Sequence, residues 1–524
     1  AILIENLTEK SDVTIPSSIF FISQEFSITT IKENVFKSSI TIRTINFSED
    51  SKLKTIEKYA FAESWLVSIK IPSSVEEIQE KAFSNCPKLK NVEFDENSNL
   101  QKIGKKAFEF FSLTSLTITS KYVRFDDESF YSTPNLATIK IPEDSINYKS
   151  FDDDQFIFEK ESDVLIFVNH TIKELKMPSF TKKIAPYIFA NLTKLESVIL
   201  SPNITEIGYR CFYDSNGIKK VEFPENSELN SIKSSAFENS SLEYIKIPPK
   251  VTVIETKVFY NCQKLQYVEF CKDSNLNAIQ KDAFDESGLE KIIIPSCFSD
   301  LQLEWMHNLT NLKKIEVFES SKGKYICNYK NDFVLGKSNI ENDEYDVLLF
   351  ANRDVVNVTI PSFVKKIAPH SFQYCINFQK VLFQNDSKLE IIGEYSFYKS
   401  SLKEIIIPSN VKEISDSAFS SCKKLNKVDF AHESKLSLIK HDAFAYSSSL
   451  RSISIPSNVL KIFRSAFFYC TNLFNIKFAD NSKIQFIGPC AFYLTSIEKI
   501  FIPNHIKIIH ENSFDNCKKL KYIT

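Results

Sequence analysis

A phenylalanine, usually in the pair Ala-Phe, returns along this chain at nearly constant spacing, and that period limits the fold more than any other feature. It stands at Phe36, Phe61, Phe83, Phe108, Phe130, Phe189, Phe212, Phe237, Phe259, Phe284, Phe372, Phe397, Phe419, Phe444, Phe467, Phe492 and Phe514. Apart from two long gaps the intervals alternate between 22 or 23 and 25 residues, and Met306 takes the same slot 22 residues after Phe284, giving 18 anchors. The unit of duplication is a pair of turns of about 47 residues. A chain of 524 residues would ordinarily divide into three or four globules. A fixed short period replaces them with one array of units, none of which can bury its apolar face alone.

Each turn carries one strand signal. The stretch Leu66-Val67-Ser68-Ile69-Lys70-Ile71 and its longer partner Leu89-Lys90-Asn91-Val92-Glu93-Phe94 alternate apolar and polar residues with period two, the mark of a short strand with one buried face. Eight prolines, at 72, 178, 248, 295, 361, 408, 456 and 503, lie eleven residues before an anchor. Proline has no N–H to give a ladder, so the strand ends there. The predicted architecture is a leucine-rich-repeat solenoid, mainly β. It has short parallel strands on the concave face, an irregular or short-strand convex side and two β-hairpin insertions.

The insertions are expected in the long gaps. Val164-Leu165-Ile166-Phe167 matches Val347-Leu348-Leu349-Phe350 at an offset of 183 residues, and Phe156-Ile157-Phe158 before it matches Phe333-Val334-Leu335 at 177, so a segment of about 183 residues was duplicated. The expected organisation is a repeat block over 1–148, a hairpin over 149–170, a second block over 171–322, a second hairpin over 323–353 and a third block over 354–524, all in one continuous solenoid. Each hairpin either continues the core or projects as a contact element. The last unit stops inside its own strand at Tyr522-Ile523-Thr524, so the chain is expected to be a fragment of a longer protein.

The pattern Leu-x-x-Ile-x-Ile-Pro-x-x-Val-x-x-Ile-x-x-x-Ala-Phe-x-x-Cys-x-x-Leu, seen at Leu402 to Leu425, resembles the BspA-like branch of leucine-rich-repeat proteins of mucosal bacteria and anaerobic parasitic protists. The resemblance covers nearly the whole chain. It implies a non-enzymatic binding or adhesion module, displayed at the cell surface or secreted, which attaches to host proteins or other cells. An intracellular structural or cytoskeletal scaffold, cytoplasmic in location, is the alternative.

Composition narrows the chemistry. Lys plus Arg is 64 and Asp plus Glu is 66, a net charge of -2, so no global basic field draws in nucleic acid. No apolar run approaches the ~18 residues of a membrane helix, so no direct membrane insertion is expected. No glycine-rich phosphate loop, nucleophile elbow or metal-ligand spacing occurs, so catalytic, metal and cofactor residues are expected to be none. Six cysteines (86, 262, 375, 422, 470 and 517) lie three residues after an anchor, where other turns carry serine. That slot reads as a small buried position filled by reduced, inert cysteine. Nine N-x-[ST] sequons occur, and Asn46 would sit on the exposed side of a strand.

The residues flanking the middle apolar position of each strand point away from the core. The outward slots hold Tyr244 and Tyr267, with Lys246, Lys291 and Lys314 around them. Exposed tyrosines flanked by lysines suit an interface hot spot, so these five residues are the expected contact for a protein or glycan partner. Self-association is also open.

Overall fold

The structure, a computed structural model, describes residues 11–109, 112–295, 298, 305, 309–318, 325–327, 332–339 and 344–524. Met306 and parts of the second insertion lie outside the described residues. The chain forms two compact units, residues 1–266 with 279–288 and residues 267–278 with 289–524.

Both units are β-solenoids built from the same turn. In the first unit, strands Asp12–Ile15, Thr44–Phe47, Ser68–Ile71 and Asn91–Phe94 pair in parallel. A second parallel ladder of two-residue strands, Thr30–Ile31, Thr55–Ile56, Glu77–Ile78, Lys102–Ile103 and Arg124–Phe125, runs alongside. The second unit repeats the plan with Asn357–Ile360, Lys380–Phe383, Glu404–Ile407, Lys427–Phe430, Ser452–Ile455 and Asn475–Phe478. The short-strand option for the convex side is therefore the one adopted. Where a proline follows a long strand it ends it, as Pro72 ends Ser68–Ile71.

Inside, the anchors form a spine. Phe189, Phe212, Phe237, Phe259 and Phe284 stack with ring centroids 4.6 to 5.4 Å apart. Phe372, Phe397, Phe419, Phe444, Phe467, Phe492 and Phe514 do the same in the second unit, at 4.9 to 5.3 Å. Such contacts add ~0.5–1.5 kcal/mol per pair beyond the area buried.

The anchor corner carries a third ladder that the sequence pattern did not announce. The described residues two before and two after the anchors adopt left-handed backbone, for example Ser235 and Asn239 at φ 58° and 59°. The alternation turns every second N–H toward the next turn. Ser235, Phe237 and Asn239 donate to the carbonyls of Thr256, Val258 and Tyr260 at 3.1, 2.9 and 2.9 Å, while Ala236 and Glu238 donate back within their own turn. Left-handed backbone costs a non-glycine residue roughly 1 kcal/mol, which these inter-turn bonds offset. No described glycine has positive φ. Gly104, Gly208, Gly393 and Gly488 serve instead where turns press together, since a Cβ there would meet backbone of the preceding turn at 2.6 to 2.9 Å.

Each insertion differs from the expected hairpin in having three strands. Tyr148–Phe151, Phe156–Glu159 and Val164–Val168 form an antiparallel meander, as do Tyr325–Cys327, Phe333–Gly336 and Val347–Ala351. The first strand was missed because Tyr148-Lys149-Ser150-Phe151 is too polar for an apolar run. The last strand joins the two-residue ladder in parallel, Val164↔Lys183 and Val347↔Lys366. With Ile157, Phe158, Leu165 and Leu348 fully buried, the described strands of both insertions continue the core. A separate hairpin, Ser18–Phe21 with Gln24–Ser27, carries exposed Phe20, Phe21 and Ile22 at its turn. It went unread because it falls before the first anchor.

Candidate interaction surface

The long strands bury alternate side chains, as in the pattern exposed-buried-exposed-buried of Glu404–Ile407, so each sheet offers solvent two parallel rows of residues. In the first unit these rows are mostly polar or charged. Lys70 faces Glu93 in register but reaches Asp95 on the loop beyond, 2.8 Å away. Lys219 pairs with Glu196 at 2.8 Å, and Lys220 with Glu222. Exposed pairs of this kind are worth little individually and leave a solvated face. Asn46 is exposed in this row, as expected.

The five residues singled out by sequence divide between the units. Tyr244 and Lys246 lie on Tyr244–Ile247 of the first unit, where Tyr244 is half-buried and Lys246 exposed. Tyr267, Lys291 and Lys314 start the strands Tyr267–Phe270, Lys291–Ile294 and Lys314–Val317 of the second, with Tyr267 opposite Lys291 and Lys291 opposite Lys314. Tyr267 is half-buried rather than exposed, and the Lys291 ammonium lies 5.8 Å from its ring centroid. Lys291 and Lys314 converge on one carboxylate, Glu316, at 2.9 and 2.8 Å. The two lysines hold the Glu316 carboxyl below its usual range, against the opposing effect of burial. The positive rim read from sequence is thus largely neutralised, because the strand that supplies Lys314 also supplies Glu316.

The structure brings forward a different pair. On adjacent strands of the second unit, Leu382 and Ile406 are 47% and 61% exposed, between Thr359 on one side and Asp429 on the other. Leu382 and Ile406 floor a groove of about 740 Å³ whose walls include Lys380, Glu404, Lys427 and Asn410. The Lys380–Glu404 pair at 3.0 Å and the Lys427–Asp429 pair at 2.9 Å satisfy the charges around it. An aliphatic floor inside a ring of paired charges follows the core-and-rim layout of protein interfaces. The sequence signal was present in the slot itself, where Leu382 and Ile406 follow one another. Tyrosine drew the reading elsewhere.

No group of His, Cys, Asp and Glu among the described residues could hold a metal ion, and no described helix is long and apolar enough to cross a membrane.

A chain of parallel turns, each closed by a Phe corner and presenting one long strand beside one two-residue strand, is a leucine-rich-repeat protein. This chain belongs to the BspA type leucine rich repeat family, whose pattern matches six copies over residues 29–157, 163–273, 230–342, 347–444 and 437–524. Among solved structures it is similar to the pneumococcal vaccine antigen PcpA, with 22% identity, a TM-score of 0.49 and coverage of 60% of this chain and 86% of that one. A leucine-rich repeat protein from Bacteroides ovatus shares 19% identity over 92% of this chain and 93% of its own, with a TM-score of 0.38. A leucine rich cell surface protein from Faecalibacterium prausnitzii shares 19% over 99% and 91%, with a TM-score of 0.30. No curated protein matches the chain. Proteins of the BspA type are typically surface-associated, non-enzymatic and involved in binding.

Proposed function

We propose that this protein is an adhesion module that holds a protein or glycan partner on its long-strand face, the concave face of a leucine-rich-repeat solenoid, outside the cell. The observation that carries the reading is the groove over Leu382 and Ile406. Two neighbouring aliphatic side chains are left in solvent at the centre of a sheet whose outward residues are otherwise polar or ion-paired. Burying a fully exposed Leu or Ile contributes ~1.5–3 kcal/mol; with about half of each side chain already covered, the two together contribute about 2–3 kcal/mol, the size of one hot-spot residue. Tyr267 with Lys291 and Lys314, and separately Tyr244 with Lys246, supply secondary contacts on the sheets of their own units.

The test is binding to a panel of immobilised extracellular-matrix proteins and mucin glycans. Leu382→Asp with Ile406→Asp is expected to weaken capture by the panel member that binds wild type at least tenfold, with the melting temperature kept, because both side chains already face water. Tyr244→Ala with Tyr267→Ala is expected to weaken it less. Loss of binding in the tyrosine variant alone would move the site to those strands, and capture unaltered by either pair would remove the long-strand face from the account.

A further inference from the structure

We propose that the anchor corner of the second unit carries a second binding site, separate from the long-strand face, for an anionic glycan bearing sulfate groups. The site is a shallow dish of about 500 Å³ lined by Lys399, Ser401, Ser421, Lys423, Lys424 and Tyr446. Repetition assembles it. Lys399, Ser421 and Tyr446 each stand two residues after an anchor, at left-handed φ of 54°, 58° and 60°, and the corner ladder bonds Ser421 N–H to Ala445 O at 2.7 Å. Side chains from three successive turns therefore stand in a row, while Lys423 and Lys424 come from the bend that follows Ser421.

Three features define the ligand. First, Lys365, Lys380, Lys412, Lys427 and Lys440 of this unit are each paired with an acid. Lys399, Lys423 and Lys424 make no ion pair among the described residues, and no carboxylate lines the dish. Lys399 is held over the rings of Tyr374 and Tyr398, 5.4 and 5.0 Å from their centroids, which leaves its charge free for an anion. Second, Tyr446 offers a fixed ring. It is 46% exposed while its position is set by Tyr469, stacked at 5.4 Å, and by the edge of Phe468 at 5.5 Å. A flat aromatic face beside ammonium groups suits the C–H face of a pyranose with an anionic substituent at its rim. Third, Ser401 and Ser421 add hydroxyls that can donate to or accept from sugar oxygens. The net charge of the chain is -2, so attraction is local to the dish. One dish of three cations answers one or two anionic groups, not the continuous phosphate track that a nucleic acid presents.

The experiment is calorimetric titration of the whole chain with a heparin tetrasaccharide, with its desulfated and N-acetylated counterpart, with a thymidine oligonucleotide of equal charge, and with phosphatidylserine vesicles. The sulfated sugar alone is expected to bind. Its affinity should fall at least tenfold in Lys423→Gln with Lys424→Gln, several-fold in Tyr446→Ala, and steeply between about 50 and about 300 mM salt as screening shortens the reach of the ammoniums. Lys423→Arg with Lys424→Arg keeps the charge and is expected to bind nearly as wild type, which separates lost charge from lost fold. Absence of binding, equal binding by the Gln variant, or tighter binding of the oligonucleotide or vesicle would overturn the proposal. Each of those results leaves the long-strand reading untouched.

Discussion

The side chain three residues after most anchors is Cys, Ser or Thr, small for packing and polar for bonding. Cys86, Cys262, Cys422 and Cys470 donate their thiols to the carbonyls of Phe61, Phe237, Phe397 and Phe444, the anchors of the preceding turns, at 2.9 to 3.1 Å. Ser447 donates to the carbonyl of Phe419 in the same way at 2.8 Å. The alternation of Cys with Ser thus records a buried donor slot, where composition alone suggested a small hydrophobe. Burial pushes the Cys262, Cys422 and Cys470 thiols up to about 12 and that of Cys86 up to about 11, so little thiolate exists at neutral pH. Cys262→Ser is expected to stay within ~1 kcal/mol of wild type in chemical unfolding. Cys262→Val, which keeps the bulk and removes the donor, should cost ~1–3 kcal/mol. Equal stability of the two variants would show that packing alone fills the slot. Phe237→Ala or Phe419→Ala removes a ring from the spine and should cost ~3–5 kcal/mol, measured in the same unfolding experiment. A melting curve left unchanged would contradict the register.

Within each element, the parts legible in the sequence are those where one side chain reports one environment. Strand positions, their proline stops and the anchors follow from periodicity, since Ile69, Ile71 and Phe83 are apolar for the same reason that they are buried. The left-handed corners were not legible, because Tyr59, Lys81 and Ser235 carry no mark of their backbone. There the ladder to the next turn, a property of two turns together, decides. The insertions show the same limit at their ends. His170 and Arg353 occupy equivalent places in the duplicated segment, and each seals the end of its meander by a different route. The His170 ring lies with Nδ1 2.8 Å from Thr133 O. Arg353 donates to the carbonyls of Ala351, Ser371 and His370 at 3.2, 2.7 and 3.2 Å, with its guanidinium over the Phe350 ring. Burial lowers the His170 pKa from 6.5 to about 4. The unfolded chain therefore takes up a proton that the folded one refuses, and stability present above the unfolded pKa of 6.5 is lost as pH falls toward 4, by about 3 kcal/mol in all. The expected result is a melting temperature that drops more between pH 7 and pH 5 in wild type than in His170→Gln. Parallel pH profiles would show that His170 does not titrate in this way.

For the whole molecule, the ladders make stability a sum of neighbouring terms, and what remains for function is the surface they leave uncovered. The candidate site was legible only in part: the outward rows could be named from the strand period, but not which of their members stay free. Lys291 and Lys314 are occupied by Glu316, and that pairing depends on the register of two neighbouring strands. The same consideration ranks the sequons. The Nδ2 of Asn203 and of Asn239, the atom a glycan would take, is already bonded to Ser179 O and Asp214 Oδ1 at 2.8 and 2.7 Å, whereas Asn46 and Asn385 are exposed. In a glycosylating secretory host, peptide mapping is expected to find Asn46 and Asn385 occupied ahead of Asn203 and Asn239. The central claim, that partners are held on the long-strand face, is tested most directly by contact mapping. A photo-cross-linking amino acid is placed at Ile406 in one protein and at Lys412, exposed before the two-residue strand Glu413–Ile414, in another, and both are irradiated with the panel member that binds wild type. The account predicts cross-linking from position 406 and none from 412. Cross-linking from 412 with none from 406 would contradict it.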